Sequence, residues 1–298
     1  MNPLLMLLPI AIISLVSNIL TKIQSRMVEK TDFSATLVIL LLTSFFACVF
    51  FAIMAGFNLS ANLGTLIYAT LYAMIVALSM SNSLKILQYA SIASAGVVSR
   101  AGTLIVTILT GTLLFGEKSG FIAVVRVVLM VAAVIFVFLD KRKSTQQTNI
   151  KNSPLLFAIY AGAGIIITTA ATLLNKSFAQ YPDRASDNVY FFYANLIMLA
   201  GVAAVLLAKF IKDPKSLSGA RYALRPKYVL NVLLQTVLSD VYALINIMLL
   251  RGTEISWYTS VTAAVGIVLT VVSSLIFREK LGVYSYVATA ICIAVVFI

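Results

Sequence analysis

The chain has 298 residues, 61% of them apolar and only 11% charged, and its mean hydropathy is +1.03. Soluble domains are nearer half apolar and a quarter charged, so an excess of this size means that apolar side chains face lipid as well as a core. The net charge of +12 does not argue for nucleic acid, because in so apolar a chain Lys and Arg collect in cytoplasmic loops and set orientation.

A spanning helix needs roughly 20 apolar residues. By that ruler the apolar runs predict ten spans, at 3–21, 34–55, 65–88, 91–115, 121–139, 154–175, 188–208, 228–250, 255–276 and 281–298, with no length over for a soluble domain. The first run has no Lys or Arg before it and is followed by Lys22, Arg26 and Lys30. That is the reverse of a signal peptide and suits a retained span with the N-terminus outside. Residues 33–84 carry no charge and are too long for one span; Gly56 to Gly64, with Asn58, Ser60 and Asn62 between, supplies the turn. Polar stretches at Asp140–Asn152 and Lys209–Lys227 read as solvated loops at the membrane surface. The runs are continuous and of helical length, unlike the short alternating segments of a membrane barrel.

With the N-terminus outside, the loops after spans 1, 3, 5, 7 and 9 hold fifteen Lys and Arg, against Lys118, Lys176, Arg184 and Arg251 on the other side. The positive-inside rule then places the protein in the cytoplasmic membrane with both termini extracytoplasmic. There is no histidine, which excludes a histidine-dependent zinc or catalytic site. Cys48 and Cys292 both lie in apolar runs, with no metal-ligand spacing and no disulfide framework. No paired carboxylate or activated Ser or Cys is visible either, so the expectation is a protein that is not an enzyme, without cofactor or metal.

The two halves resemble each other. Phe115-Gly116-Glu117-Lys118 with Gly120 matches Phe277-Arg278-Glu279-Lys280 with Gly282 at an offset of 162, and Thr21-Lys22 at the end of span 1 parallels Asn175-Lys176 at the end of span 6. This divides the chain into a five-helix repeat at 1–140, a polar connection at 141–153 and a second repeat at 154–298. Five is odd, so the second repeat enters from the opposite face. Inverted repeats are what alternating access about a midplane site requires.

Ten spans in two five-helix halves, each with a Phe-x-Glu-Lys turn before its last helix, resembles the drug/metabolite transporter superfamily of EamA type over nearly the whole chain. The resemblance implies an all-α integral membrane fold of ten transmembrane helices in two inverted repeats, with spans 4 and 8 bordering a central pocket and span 5 peripheral. Two features depart from the family pattern. Members carry a Pro midway along span 4, where this chain reads Ser99-Arg100-Ala101-Gly102, and many are N-terminus-inside.

A charge at the centre of a span costs about 2.5–3.5 kcal/mol on insertion scales, so such residues face a cavity or a partner. Arg100 lies about 12 Å into span 4 at 1.5 Å per residue. It is either an anchor for a carboxylate or phosphate, which its planar fork matches, or half of a structural ion pair. Asp240, the only acid within a span, has three readings: a partner for Arg100, a site for a substrate ammonium, or the carrier of a coupling proton. Lys85 either snorkels at the end of span 3 or supplies a second cation to the substrate. Arg126, on the span the resemblance makes peripheral, reads as a snorkelling or interface residue and not a substrate contact. Asn18, Asn195 and Asn246 are candidates for the cavity wall or for interhelical hydrogen bonds, as are Asn82, Gln88 and Gln235. Tyr193, Tyr242 and Trp257 are candidate aromatic walls, with a membrane-interface position the other reading for Trp257.

The cations outnumber the acid, which favours a substrate with a negative group: an organic anion, a phosphorylated metabolite or an amino acid. The expected activity is secondary active transport of such a metabolite by alternating access. A coupling proton or counter-substrate, the lipid bilayer, and a monomer or homodimer are the expected partners, with no nucleic acid. The alternatives are a transporter of organic cations or aromatic compounds, and a flippase for a phosphate-linked lipid.

Overall fold

The computed structural model describes residues 9–17, 19–20, 33–89, 92–116, 121–143, 153–212, 224–276 and 282–297. Among them there is no strand. The helices are α1 (residues 9–17), α2 (Phe33–Met54), α3 (Leu63–Tyr89), α4 (Ile92–Phe115), α5 (Phe121–Lys143), α6 (Pro154–Gln180), α7 (Asp187–Lys212), α8 (Pro226–Gly252), α9 (Ile255–Ile276) and α10 (Val283–Phe297). Ala35–Met54, Leu63–Ser83, Leu155–Gln180, Asp187–Lys212 and Pro226–Gly252 are long and apolar enough to cross a membrane. Their apolar surface is turned outward as well as inward: Phe45 is 49% exposed, Ile166 68% and Leu207 62%. In hydrocarbon every backbone polar group must be satisfied inside its own segment, which a helix achieves. This is an all-α membrane protein.

Local chemistry sets the helix ends. α2 stops in a Schellman turn: Phe57 N donates to Ala52 O and Gly56 N to Ile53 O, both at 2.9 Å, and Gly56 takes a φ of 60°. Glycine reaches that left-handed conformation without a Cβ penalty. Phe57 follows with the same φ of 60°, unusual for a bulky residue. α3 is capped by Asn62, whose Oδ1 accepts from Thr65 N at 2.8 Å. Ser153 caps α6 and Ser186 caps α7, each through its Oγ at 3.4 Å. Pro at the first position of α6 and α8 loses no hydrogen bond there. α7 carries Asp187 in its first turn and Lys209 and Lys212 in its last, matching the helix dipole at both ends.

Helices α2 to α10 begin within two residues of the sequence-derived spans, but α5, α6 and α7 run four or five residues beyond them; the start of the first span lies outside the described residues. The extension of α6 carries Phe178 and Ala179, which pack into the protein, and that of α7 ends on the exposed Lys212.

The chain divides into two compact units, one of Met1–Leu15, Leu78–Lys176 and Met248–Ile298, the other of Val16–Ala77 and Ser177–Ile247. In the first, α4 packs on α5 and α9, and α10 on α5 and α9. Its core holds Ala101, Leu104, Met130, Ala133, Phe157 and Ala288, all fully buried. In the second, α2 packs along α7 around an aromatic cluster. Phe178 and Tyr190 stack there with centroids 4.0 Å apart, and Phe51 stacks on Phe191 at 5.2 Å. At one end of this unit the connection after α6 is strapped onto the start of α3. Asn62 donates to Asp183 O, Ala185 N to Thr65 Oγ1 at 3.1 Å, and Asn188 covers the α2 terminus through Met54 O at 3.1 Å.

Candidate functional site

In the first unit α4 holds Arg100 half-buried. Its Nη1 donates one long hydrogen bond, 3.3 Å, to Thr262 O on α9. The guanidinium lies against α9 where Gly266 has no side chain: a Cβ at 266 would stand 2.6 Å from Nε. The α9 carbonyl and the glycine notch therefore orient the fork. Arg100 forms no ion pair with a described residue. One weak bond occupies one of five N–H donors, and a carboxylate or phosphate oxygen pair fits the remainder.

Lys85 is exposed on α3, with its Nζ 5.6 Å from the centre of the Tyr160 ring. Tyr160 also stacks on Tyr89 at 5.6 Å, and its carbonyl accepts from Asn82 Nδ2 at 2.9 Å. Asn82 thus ties α3 to α6, and Gly164 leaves room for its amide. Trp257 is half-buried near the start of α9. Arg126 on α5 is half-buried too, and its Nε is buried without a hydrogen-bond partner.

In the second unit α8 carries Asp240, Tyr242 and Asn246, and α7 carries Tyr193 and Asn195. Asp240 is 8% exposed. Among the described residues its buried Oδ2 has no hydrogen-bond partner, and it forms no ion pair. Cys48 on α2 lies within its electrostatic reach and points its Sγ at Phe192 O, 3.9 Å away. Asn246 Oδ1 is likewise buried without a partner, while Tyr242 is half-buried. Two of the polar candidates are engaged by backbone. Tyr193 donates its hydroxyl to Leu59 O at 2.9 Å, fixing the connection after α2, and Asn195 Nδ2 donates to Phe191 O of its own helix at 2.9 Å. Asn18 lies outside the described residues.

The candidates thus fall into two groups, Lys85, Arg100 and Trp257 in one unit and Tyr193, Asn195, Asp240, Tyr242 and Asn246 in the other. Two further residues matter that sequence reasoning did not single out. Gly266 shapes the Arg100 site, and only its glycine in mid-helix hinted at a close approach. Lys176, expected in a loop, sits inside α6 at 5% exposure. It donates to Leu250 O at 2.8 Å and Thr253 O at 2.6 Å. A cation there satisfies carbonyls that the end of α8 leaves open and complements its dipole.

No family model matches this chain, and no curated protein does. A solved crystal structure superimposes on 96% of this chain and 93% of its own, with a TM-score of 0.63 and 13% sequence identity. At that identity the likeness speaks for a shared fold alone.

Proposed function

We propose that this chain is a secondary active transporter of a small polar metabolite bearing a negative group, an amino acid, organic anion or phosphorylated metabolite. The observation that carries the reading is Arg100: a cation within an apolar helix, oriented by Thr262 O and the Gly266 notch, with no described acid to neutralise it. A charge so placed is expensive unless something polar meets it. A transported anion meets it for part of each cycle.

The reading includes ten spans in two inverted repeats of EamA type, in the cytoplasmic membrane with both termini outside. The packing supports the repeat from an independent side. Arg100 and Thr262 are 162 residues apart, the same offset that relates the two Glu-Lys turns. On that register α4 packs against its own counterpart α9, and α5 against its counterpart α10. Contact between equivalent helices is what a pseudo-two-fold axis running beside them produces.

The test is a thermal-shift screen of the detergent-purified protein against amino acids, organic acids, sugar phosphates, nucleotide sugars and quaternary amines. A ligand of the folded state raises apparent stability by mass action. Stabilisation by an anion or amino acid that disappears in Arg100→Ala, followed by uptake of that compound into proteoliposomes, is the expected result. Stabilisation by quaternary amines alone, unchanged in Arg100→Ala, refutes it and makes Arg100 a pin between α4 and α9.

A further inference from the structure

We infer that Asp240 is a proton-carrying site, loaded from the water on one face of the membrane and unloaded to the other as the transport cycle turns; this rests on the transporter reading above. The geometry is that of a carboxyl with no counter-charge among the described residues. It is 8% exposed, and Oδ2 has no hydrogen-bond partner. An ionised carboxylate in such surroundings demands a counter-charge, and none of the described cations is paired with it.

The polar neighbours are already committed. Thr236, one turn before it on α8, donates to Val232 O at 2.8 Å. Cys48 directs its weak donor to Phe192 O. The titratable groups of this unit's aromatic core, among the described residues, are Tyr68 and Tyr72 from α3 and Tyr190 and Tyr193 from α7. The basic group beside that core, Arg184, is bound to Asp187 at 2.6 Å.

The same environment selects among cations. A sodium site in a transporter draws on unwound backbone carbonyls, whereas α8 runs unbroken from Pro226 to Gly252 through Asp240. No group of three or more acidic, Cys or His side chains gathers among the described residues. A metal ion therefore lacks ligands there, while a proton needs one carboxylate oxygen. Loading adds a proton to that oxygen and gives the neutral acid. Unloading returns the proton to water and restores the carboxylate, with no electron moved and no bond changed besides O–H.

The first experiment needs no substrate. Infrared difference spectra of the reconstituted protein are taken between acidic and alkaline buffer, for wild type, Asp240→Asn and Asp240→Glu. The expected result is a protonated-carboxyl C=O band in wild type that is lost in Asp240→Asn, returns shifted in Asp240→Glu and ignores saturating sodium. A spectrum identical in wild type and Asp240→Asn overturns the inference, and so does a band abolished by sodium, which means an alkali-cation site. The second experiment follows accumulation of the compound found by the thermal-shift screen. A gradient of one pH unit supports about tenfold accumulation per proton exchanged, and Asp240→Asn is expected to accumulate nothing whatever the gradient. Wild-type transport that is indifferent to the gradient sinks the proton site and leaves the transporter. If neither uptake nor exchange occurs while the Asp240 band is present, the transporter reading falls instead.

Discussion

Gly266→Ala is the sharpest perturbation of the Arg100 site, because it changes no charge. The added methyl would lie 2.6 Å from Nε of Arg100, so something must give, and the guanidinium, at the end of a flexible chain, is the part that moves. Two effects on stability then oppose each other. Alanine in a helix interior is favoured over glycine by about 1 kcal/mol, while overpacking costs about 1–3 kcal/mol where neighbours cannot retreat. Since Arg100 retreats, the net change in stability is expected within about 1 kcal/mol of zero. Ligand binding responds differently. Moving the fork off Thr262 O misaligns a charge-assisted hydrogen bond, a class worth about 1.5–3 kcal/mol, so the anion should bind about tenfold to a hundredfold more weakly. The assay is calorimetric titration of the ligand identified by the thermal-shift screen, with Gly162→Ala as control. That glycine, on a helix of the same unit, has nothing within 4 Å of a built Cβ. Gly162→Ala should bind like wild type. If Gly266→Ala also binds like wild type, the notch does not orient Arg100 and the argument built on it fails.

Lys176→Met keeps the bulk and removes the charge that covers Leu250 O and Thr253 O. It is expected to lower stability by about 2–4 kcal/mol, read as a lower unfolding temperature in detergent. Phe178→Ala empties a fully buried position stacked on Tyr190 at 4.0 Å. Its expected cost is about 3–5 kcal/mol, and a loss below about 1 kcal/mol would mean that the aromatic cluster collapses to refill the space. For orientation, a cysteine at Ser144 in a Cys48→Ser, Cys292→Ser background should be labelled by an impermeant maleimide only after the cells are opened. Labelling of intact cells would reverse the proposed topology.

From α2 onward the helices and their starts were legible in the residues themselves, though not the ends of α5, α6 and α7. Backbone in hydrocarbon has no solvent to bond with, so each apolar run must satisfy its own amides as a helix, and length alone separates one run from the next. Gly56 and Asn62 mark the turn between α2 and α3 through chemistry that reaches only a few residues along the chain. The charges Arg100 and Asp240 were conspicuous for the same reason: isolated polar groups in apolar runs. Their surroundings were a different matter. A helix that is apolar all round gives no signal of which face meets which neighbour. The tertiary structure alone decided that Arg100 lies on Gly266, that Tyr193 fixes a connection and that Lys176 closes the end of α8. It also decided that Asp240 is buried with an oxygen that no described residue satisfies. These are contacts between residues 74 to 166 positions apart or their absence, and no local pattern encodes them.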